Sequence, residues 1–230
     1  MSERSEARAL IADAAALGVA LSETQGAQLL QLLDELEQWN RAYNLTAIRE
    51  RAAMVRAHLL DSLAALADLA GNRILDVGTG AGFPGLPLAI AAPERQFTLV
   101  DAVAKKIRFV SHACRRLGLS NVQALHVRVQ ALAPAAPFDT ILARAYAELP
   151  VLLADVQTLA GPGTRVVALK GMYPHEELAR LPPGWRLERV RSPQIPRLAA
   201  TRHILHLLRG AEAPVAATSA PVVPPRQRLD

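Results

Sequence analysis

Cysteine is almost absent: the single Cys114 excludes an internal disulfide and any cysteine-based zinc cluster. Lysine is scarce as well. Only Lys105, Lys106 and Lys170 stand among 26 basic residues, so arginine carries most of the +5 net charge. A pI near 10 points toward a polyanionic partner. Arginine suits phosphate and base contacts, although an Ala- and Arg-rich genome produces the same bias. No apolar run reaches the roughly 18 residues that a membrane span requires. The N-terminus MSERSEAR lacks the apolar core of a secretory signal, so a cytoplasmic protein without membrane contact is expected. Without secretion, the sequon at Asn44-Leu45-Thr46 carries no meaning. No internal repeat stands out. His58 and Asp61 lie one helical turn apart, within reach of a hydrogen bond, and His203 and His206 alternate on an expected strand. Neither pair makes a metal site, and no metal is expected.

What the chain does contain is a strand feeding a glycine-rich turn, RILDVGTGAGFPG, at 73–85. Such a turn brings a cofactor against backbone, because glycine allows close approach and positive φ. No lysine occurs between Arg73 and Asp101, which argues against a phosphate-binding P-loop. Gly80-Ala81-Gly82-Phe83-Pro84-Gly85 matches the dinucleotide pattern, and Asp101 follows at close to the expected distance. The other reading is an S-adenosyl-L-methionine site formed with Gly78, Gly80 and Gly82. Asp76, inside the strand end two residues before the first glycine, favours it. A turn without a ligand is the ordinary alternative.

Residues 1–20 read as a flexible or helical arm, 21–70 as an N-terminal helical region, 71–210 as the cofactor-binding domain and 211–230 as a disordered Pro- and Ala-rich tail. Leu21-Ser22-Glu23-Thr24-Gln25 reads as a capping box opening an amphipathic helix to about Arg41. Val55, Leu59, Leu60, Leu63 and Leu66 suggest a second helix. From Arg73 strands and helices alternate: strands at 73–77, 96–100, 121–127, 139–143 and 164–169, and helices from Leu86, over 103–118 and over 151–160. Val103, Ile107, Val110, Cys114 and Leu117 should share the apolar face of the 103–118 helix. The runs 185–190 and 203–208 suggest an antiparallel pair. The expected fold is α/β: a mostly parallel, doubly wound sheet with a C-terminal antiparallel hairpin and an N-terminal helical extension.

In such a sheet the ligand sits at the carboxyl ends of the strands. Those ends carry Asp76 to Gly82, Asp101, Arg128 to Gln130, Arg144 and Lys170. Asp101 can accept hydrogen bonds from two vicinal ribose hydroxyls, which both cofactor readings possess; capping the next helix is its ordinary alternative.

YNLTAI (43–48), HLLDSL (58–63), LDVGTGAGFPGLPLAI (75–90), LVDAVAKKIRFV (99–110), LARAYAEL (142–149) and ALKG (168–171) together resemble the glucose-inhibited division protein B family. The resemblance covers about Leu21 to Leu208. It implies a Rossmann-like, S-adenosyl-L-methionine-dependent methyltransferase acting on N7 of a guanosine in 16S ribosomal RNA or the small ribosomal subunit, and a monomer is expected. It also implies cofactor contacts at Gly78, Phe83, Val129, Gln130 and Arg144. The family often has Val-Glu where this chain has Val129-Gln130, and glutamine can still bond adenine's amino group.

Guanine N7 has a free lone pair, so its methylation needs in-line positioning and no general base, and no catalytic base is named. The sequence has no motif for methylating an exocyclic amine, and Cys114 is badly placed as a nucleophile; a small-molecule methyltransferase would share both absences. Arg144 can donate to guanine O6; a helix-surface pair with Glu148 is its alternative. Lys105, Lys106, Arg108, Arg115 and Arg116, with His112, form a basic band expected to meet RNA, with Lys170 on a phosphate and Arg191, Arg197 and Arg202 as a second patch. Alternatives are a small-molecule or protein methyltransferase, an NAD-binding oxidoreductase and a non-catalytic RNA-binding module.

Overall fold

The computed structural model describes residues 3–210, and the tail expected at 211–230 lies outside the described residues. Five parallel strands form most of one sheet: β1 (Arg73–Val77), β2 (Gln96–Asp101), β3 (Val122–His126), β4 (Phe138–Arg144) and β5 (Ala160–Lys170). The hairpin of β6 (Trp185–Arg191) and β7 (His203–Arg209) adds on antiparallel, giving the order β3-β2-β1-β4-β5-β7-β6. The order reverses beside β1, between β1 and β4, where an open α/β sheet presents its ligand crevice. Alternate residues of β1 feed opposite cores, Ile74 on one face and Leu75 and Val77 on the other. A strand buried on both faces is why this segment reads as a nearly continuous apolar run.

Helix α1 (Glu3–Ala16) leads into α2 (Glu23–Tyr43). The expected capping box is present: Ser22 accepts from the Gln25 amide while Gln25 accepts from the Ser22 amide. The second expected helix is broken into α3 (Arg51–Met54), a π-helical stretch Val55–Leu60 and α4 (Asp61–Leu63). Leu29, Leu33, Leu36 and Leu59 join Ile74, Leu86, Phe97 and Phe109 in one core cluster, so the N-terminal helices are packed onto the sheet layer. Among the described residues no helix is long and apolar enough to cross a membrane.

The remaining helices are α5 (Gly85–Ala91), α6 (Ala104–Leu117), α7 (Leu149–Asp155) and the short α8 (His175–Leu178). Two expectations are corrected. The helix placed at 151–160 starts and stops earlier, because Pro150 occupies its first turn and Ala160 already pairs with Phe138 as the start of β5. On α6, Val103 is left 41 % exposed as the N-cap, and Phe109 and Ala113 complete the buried face with Ile107, Val110 and Leu117. Burying two faces explains this: α6 packs on the sheet and is also covered by α2, where Trp39 meets Phe109 edge-on at 5.7 Å.

Candidate active site

The turn after β1 is held from beneath by Asp76. Its carboxylate is fully buried, and Oδ2 accepts from Thr79 Oγ1 at 2.6 Å and from the Gly85 amide at 2.9 Å. Oδ1 is buried with no hydrogen-bond partner. Burial pushes its pKa up to about 6, with the Thr79 and Gly85 bonds and the Arg144 charge opposing the rise. Gly85 must be glycine here, since a Cβ would stand 2.7 Å from Asp76 Oδ2 and 2.8 Å from Leu99 Cγ. Expected as a cofactor contact, Asp76 is instead sealed beneath the turn and braces it.

Above the turn, Asp101 ends β2. Its Oδ1 accepts from the Val103 amide at 2.8 Å and its Oδ2 from the Gly80 amide at 3.0 Å, with Lys106 Nζ at 3.4 Å. The helix-start contact and the glycine-turn contact therefore coexist on one carboxylate. Each oxygen keeps lone-pair capacity beyond its amide bond. Asp101, Gly78, Lys106, Val129, Gln130 and Tyr146 line a cavity of about 270 Å³, with Val77, Val100 and Val127 as its apolar wall. A larger groove of about 900 Å³ lies between the N-terminal helices, lined by surface side chains such as Arg8 and Asp34, and holds none of these groups.

Tyr146 was not singled out from the sequence. Its ring lies 2.6 Å from where a Cβ of Gly78 would stand, and Gly78 has φ +64, so both space and backbone demand glycine. The Tyr146 hydroxyl donates to Asp155 at 2.7 Å. Ala145, just before it, holds φ +51, a left-handed conformation rare for alanine.

A second group of side chains stands beside the turn without lining the cavity. Asp61, buried, accepts from Arg144 Nη1 at 3.2 Å and from Arg202 Nε at 2.7 Å. Arg144 Nη1 also donates to the Ala57 carbonyl at 3.0 Å, in the π-helical stretch, and its guanidinium lies 5.7 Å over the Phe83 ring. His58 stacks on the same ring at 4.7 Å. His58 Nε2 meets Thr46 Oγ1 at 3.0 Å while Nδ1 is buried without a partner. Burial, and then the Arg144 charge, depress the His58 pKa to about 4, so the ring is neutral. The hydrogen bond expected between His58 and Asp61 is absent among the described contacts; Asp61 turns to the two arginines instead. Neither does Arg144 pair with Glu148, which bonds Arg180. Two guanidiniums thus share the Asp61 carboxylate, and the Asp76 carboxylate also acts on the Arg144 charge. Phe83 and Arg144, expected on the cofactor, belong to this cluster, and Gly80 and Gly82 shape the turn from outside the cavity lining.

Several expected RNA contacts are occupied within the fold. Lys170 Nζ bonds both Glu177 oxygens at 3.0 and 2.7 Å and the Ala147 carbonyl at 3.1 Å, which uses the three donors of its ammonium. On α6, Arg116 and His112 both bind the buried Glu35 of α2, at 2.8 and 2.7 Å, and Lys105 bonds the Tyr43 carbonyl. Arg197 pairs with Asp13 of α1 and Arg191 with the buried Asp68, which His206 also contacts at 2.6 Å. Among the described residues Lys105, Arg108 and Arg115 are the members of the band without an ion pair, and Lys105 is held by the Tyr43 carbonyl, which leaves Arg108 and Arg115 with neither an ion pair nor a side-chain hydrogen bond.

A family model described as "GidB: rRNA small subunit methyltransferase G" matches residues 25–205. The chain is similar to the ribosomal RNA small subunit methyltransferase G of Hahella chejuensis, 43 % identical over 194 residues that cover 84 % of this chain and 89 % of that one. Among solved structures it is similar in fold to a SAM-dependent methyltransferase from Aquifex aeolicus (20 % identity, TM-score 0.51, covering 68 % of this chain and 93 % of that one). A magnesium protoporphyrin IX methyltransferase from Synechocystis with bound SAM is similar in the same way (17 % identity, TM-score 0.54, covering 83 % and 99 %).

Proposed function

The chain belongs to the rRNA small subunit methyltransferase G family, and from that premise we propose that it transfers a methyl group from S-adenosyl-L-methionine to N7 of a guanosine in small-subunit ribosomal RNA. The donor supplies an electrophilic methyl on a sulfonium. The observation that carries the reading is Asp101: its carboxylate borders the cavity beside the Gly78 turn, with capacity on each oxygen left for a ribose hydroxyl. Val77, Val100 and Val127, with Val129 beside them, offer the apolar wall that an adenine requires, and Gln130 can bond its amino group.

The rest is positioning. An N7 lone pair needs no proton removed, and the neutral His58 and the buried, sealed Asp76 are in keeping with a cleft that holds no general base. The reaction instead needs the base aligned with the sulfonium and water excluded, the contribution worth several powers of ten in intramolecular analogues. The Arg144 guanidinium, oriented by Asp61, Ala57 and the Phe83 ring, is the donor we assign to guanine O6, an acceptor next to N7. Arg108 and Arg115 are left for phosphates. The same reading carries a cytoplasmic location, a monomer, and a single catalytic unit in which residues 21–70 extend the domain at 71–210.

Incubation with labelled S-adenosyl-L-methionine and unmodified small subunits, naked RNA or no RNA, followed by digestion to nucleosides, tests it. Label is expected in 7-methylguanosine and is lost in Asp101→Ala. Donor binding without labelled RNA refutes the ribosomal assignment, and absence of donor binding refutes the reading of the cavity.

A further inference from the structure

From the arginine cluster the contacts continue outward along the rim of the sheet. Arg202 is followed by His203, paired in register with Lys170 at the end of β5. The His203 ring meets Tyr173 at 5.7 Å with the two rings nearly perpendicular, and the His175 ring lies 4.4 Å from Tyr173, tilted by 50°. Tyr173 is 37 % exposed and its neighbour Met172 is 84 % exposed. No hydrogen bond engages the Tyr173 hydroxyl among the described residues. Neither side chain contributes to either core cluster. A lone exposed apolar residue needs no explanation. Here, however, an aromatic ring in contact with two histidines stands with a methionine at the carboxyl edge of the sheet, the edge that carries the cavity.

We infer that Tyr173, in contact with His175 and His203 and still partly exposed, is a stacking platform for an unpaired base flanking the target guanosine, with Met172 as its apolar border. The inference rests on the RNA substrate proposed above. Single-stranded RNA is recognised by splayed bases on aromatic faces. The electrostatics suit it. Arg202, next to His203, keeps guanidinium donors for the connecting phosphate beyond its Nε bond to Asp61 and its Nη1 bond to the Thr201 carbonyl, and on α8 the Glu177 charge is neutralised by Lys170. Met172 and Tyr173 are adjacent exposed apolar residues. A base needs only one ring.

The test uses three variants and two readouts. Tyr173→Ala is expected to raise KM for unmodified small subunits about tenfold, as loss of one base stack does, with kcat, the dissociation constant for S-adenosyl-L-methionine and the melting temperature unchanged. Tyr173→Phe retains the low KM. Tyr173→Trp places an indole on the platform, and single-stranded RNA should quench its emission beyond any change seen with Trp39 and Trp185 alone, whereas an oligonucleotide lacking bases should not. A KM for Tyr173→Ala within about twofold of the parent, or an emission unchanged by RNA that the protein binds, overturns the inference. If the parent methylates no RNA while RNA still quenches the Trp variant, the platform stands and the proposed reaction fails.

Discussion

Replacing Asp76 by asparagine should alter the pH dependence of stability in a way calculable from the site. In the folded chain the Asp76 carboxyl titrates at about 6 against an ordinary 3.8, because burial outweighs the two hydrogen bonds on Oδ2. Between those values the native state holds a proton that the unfolded chain has released. The contribution of Asp76 is therefore fully present below about pH 4 and is lost as pH rises through 6, about 3 kcal/mol in all at ~1.4 kcal/mol per pH unit. His58 acts oppositely. Its pKa falls from 6.5 to about 4, so its contribution is present above about pH 6.5 and is lost as pH falls toward 4, again about 3 kcal/mol. The two nearly cancel across the same window, and the parent protein should show little slope from this pair. Asp76→Asn removes only one of them. The amide oxygen can accept from Thr79 and Gly85, and its NH2 occupies the place of the unpartnered Oδ1. Its fixed cost, a buried amide donor without a partner, is about 1–3 kcal/mol and does not vary with pH. Urea unfolding of both proteins from about pH 4 to about pH 8 measures the difference, with common carboxylates and histidines cancelling. The variant should gain about 3 kcal/mol relative to the parent between those limits. A difference that stays constant with pH refutes the assignment of a raised pKa to Asp76.

Four further outcomes are expected. Gly78→Ala drives a methyl into the Tyr146 ring at a positive φ and should weaken S-adenosyl-L-methionine binding at least about tenfold by calorimetry. Arg144→Lys keeps the charge but not the planar fork that joins Asp61, the Ala57 carbonyl and Phe83; kcat for RNA methylation should fall by about tenfold or more with donor binding retained. Glu35→Ala leaves His112 and Arg116 without their shared carboxylate between α2 and α6, and should cost about 1–3 kcal/mol in chemical denaturation. Lys170→Ala, by freeing Glu177 from its partner, should lower the melting temperature, and the salt dependence of RNA binding should change little, since the ammonium is already engaged.

What the sequence determined by itself is short-range. Ser22 and Gln25 face each other three residues apart, so the α2 capping box follows from local geometry. The apolar run at Ile74 to Val77 and the glycines after it specify a buried strand and a backbone-lined turn, and Asp101 closes the next strand in register beside it. Alternation of strands and helices then dictates the sheet and the edge that carries the cavity. The fate of the polar side chains was not legible in this way. Asp61 lies 83 residues from Arg144 and 141 from Arg202, and no periodicity relates them. The basic band of α6 reads as a free surface until α2 lies across it with Glu35, and Lys170 reads as a phosphate ligand until α8 brings Glu177 against it. Asp76 shows the same division within one residue. The strand pattern places it at the turn, but only the packing of Leu99 and Gly85 around it decides that its carboxylate braces the loop from inside and titrates near neutrality. Backbone hydrogen bonding and apolar burial repeat with the period of the element and so leave a trace along the chain, whereas an ion pair is decided by which elements the tertiary fold sets side by side.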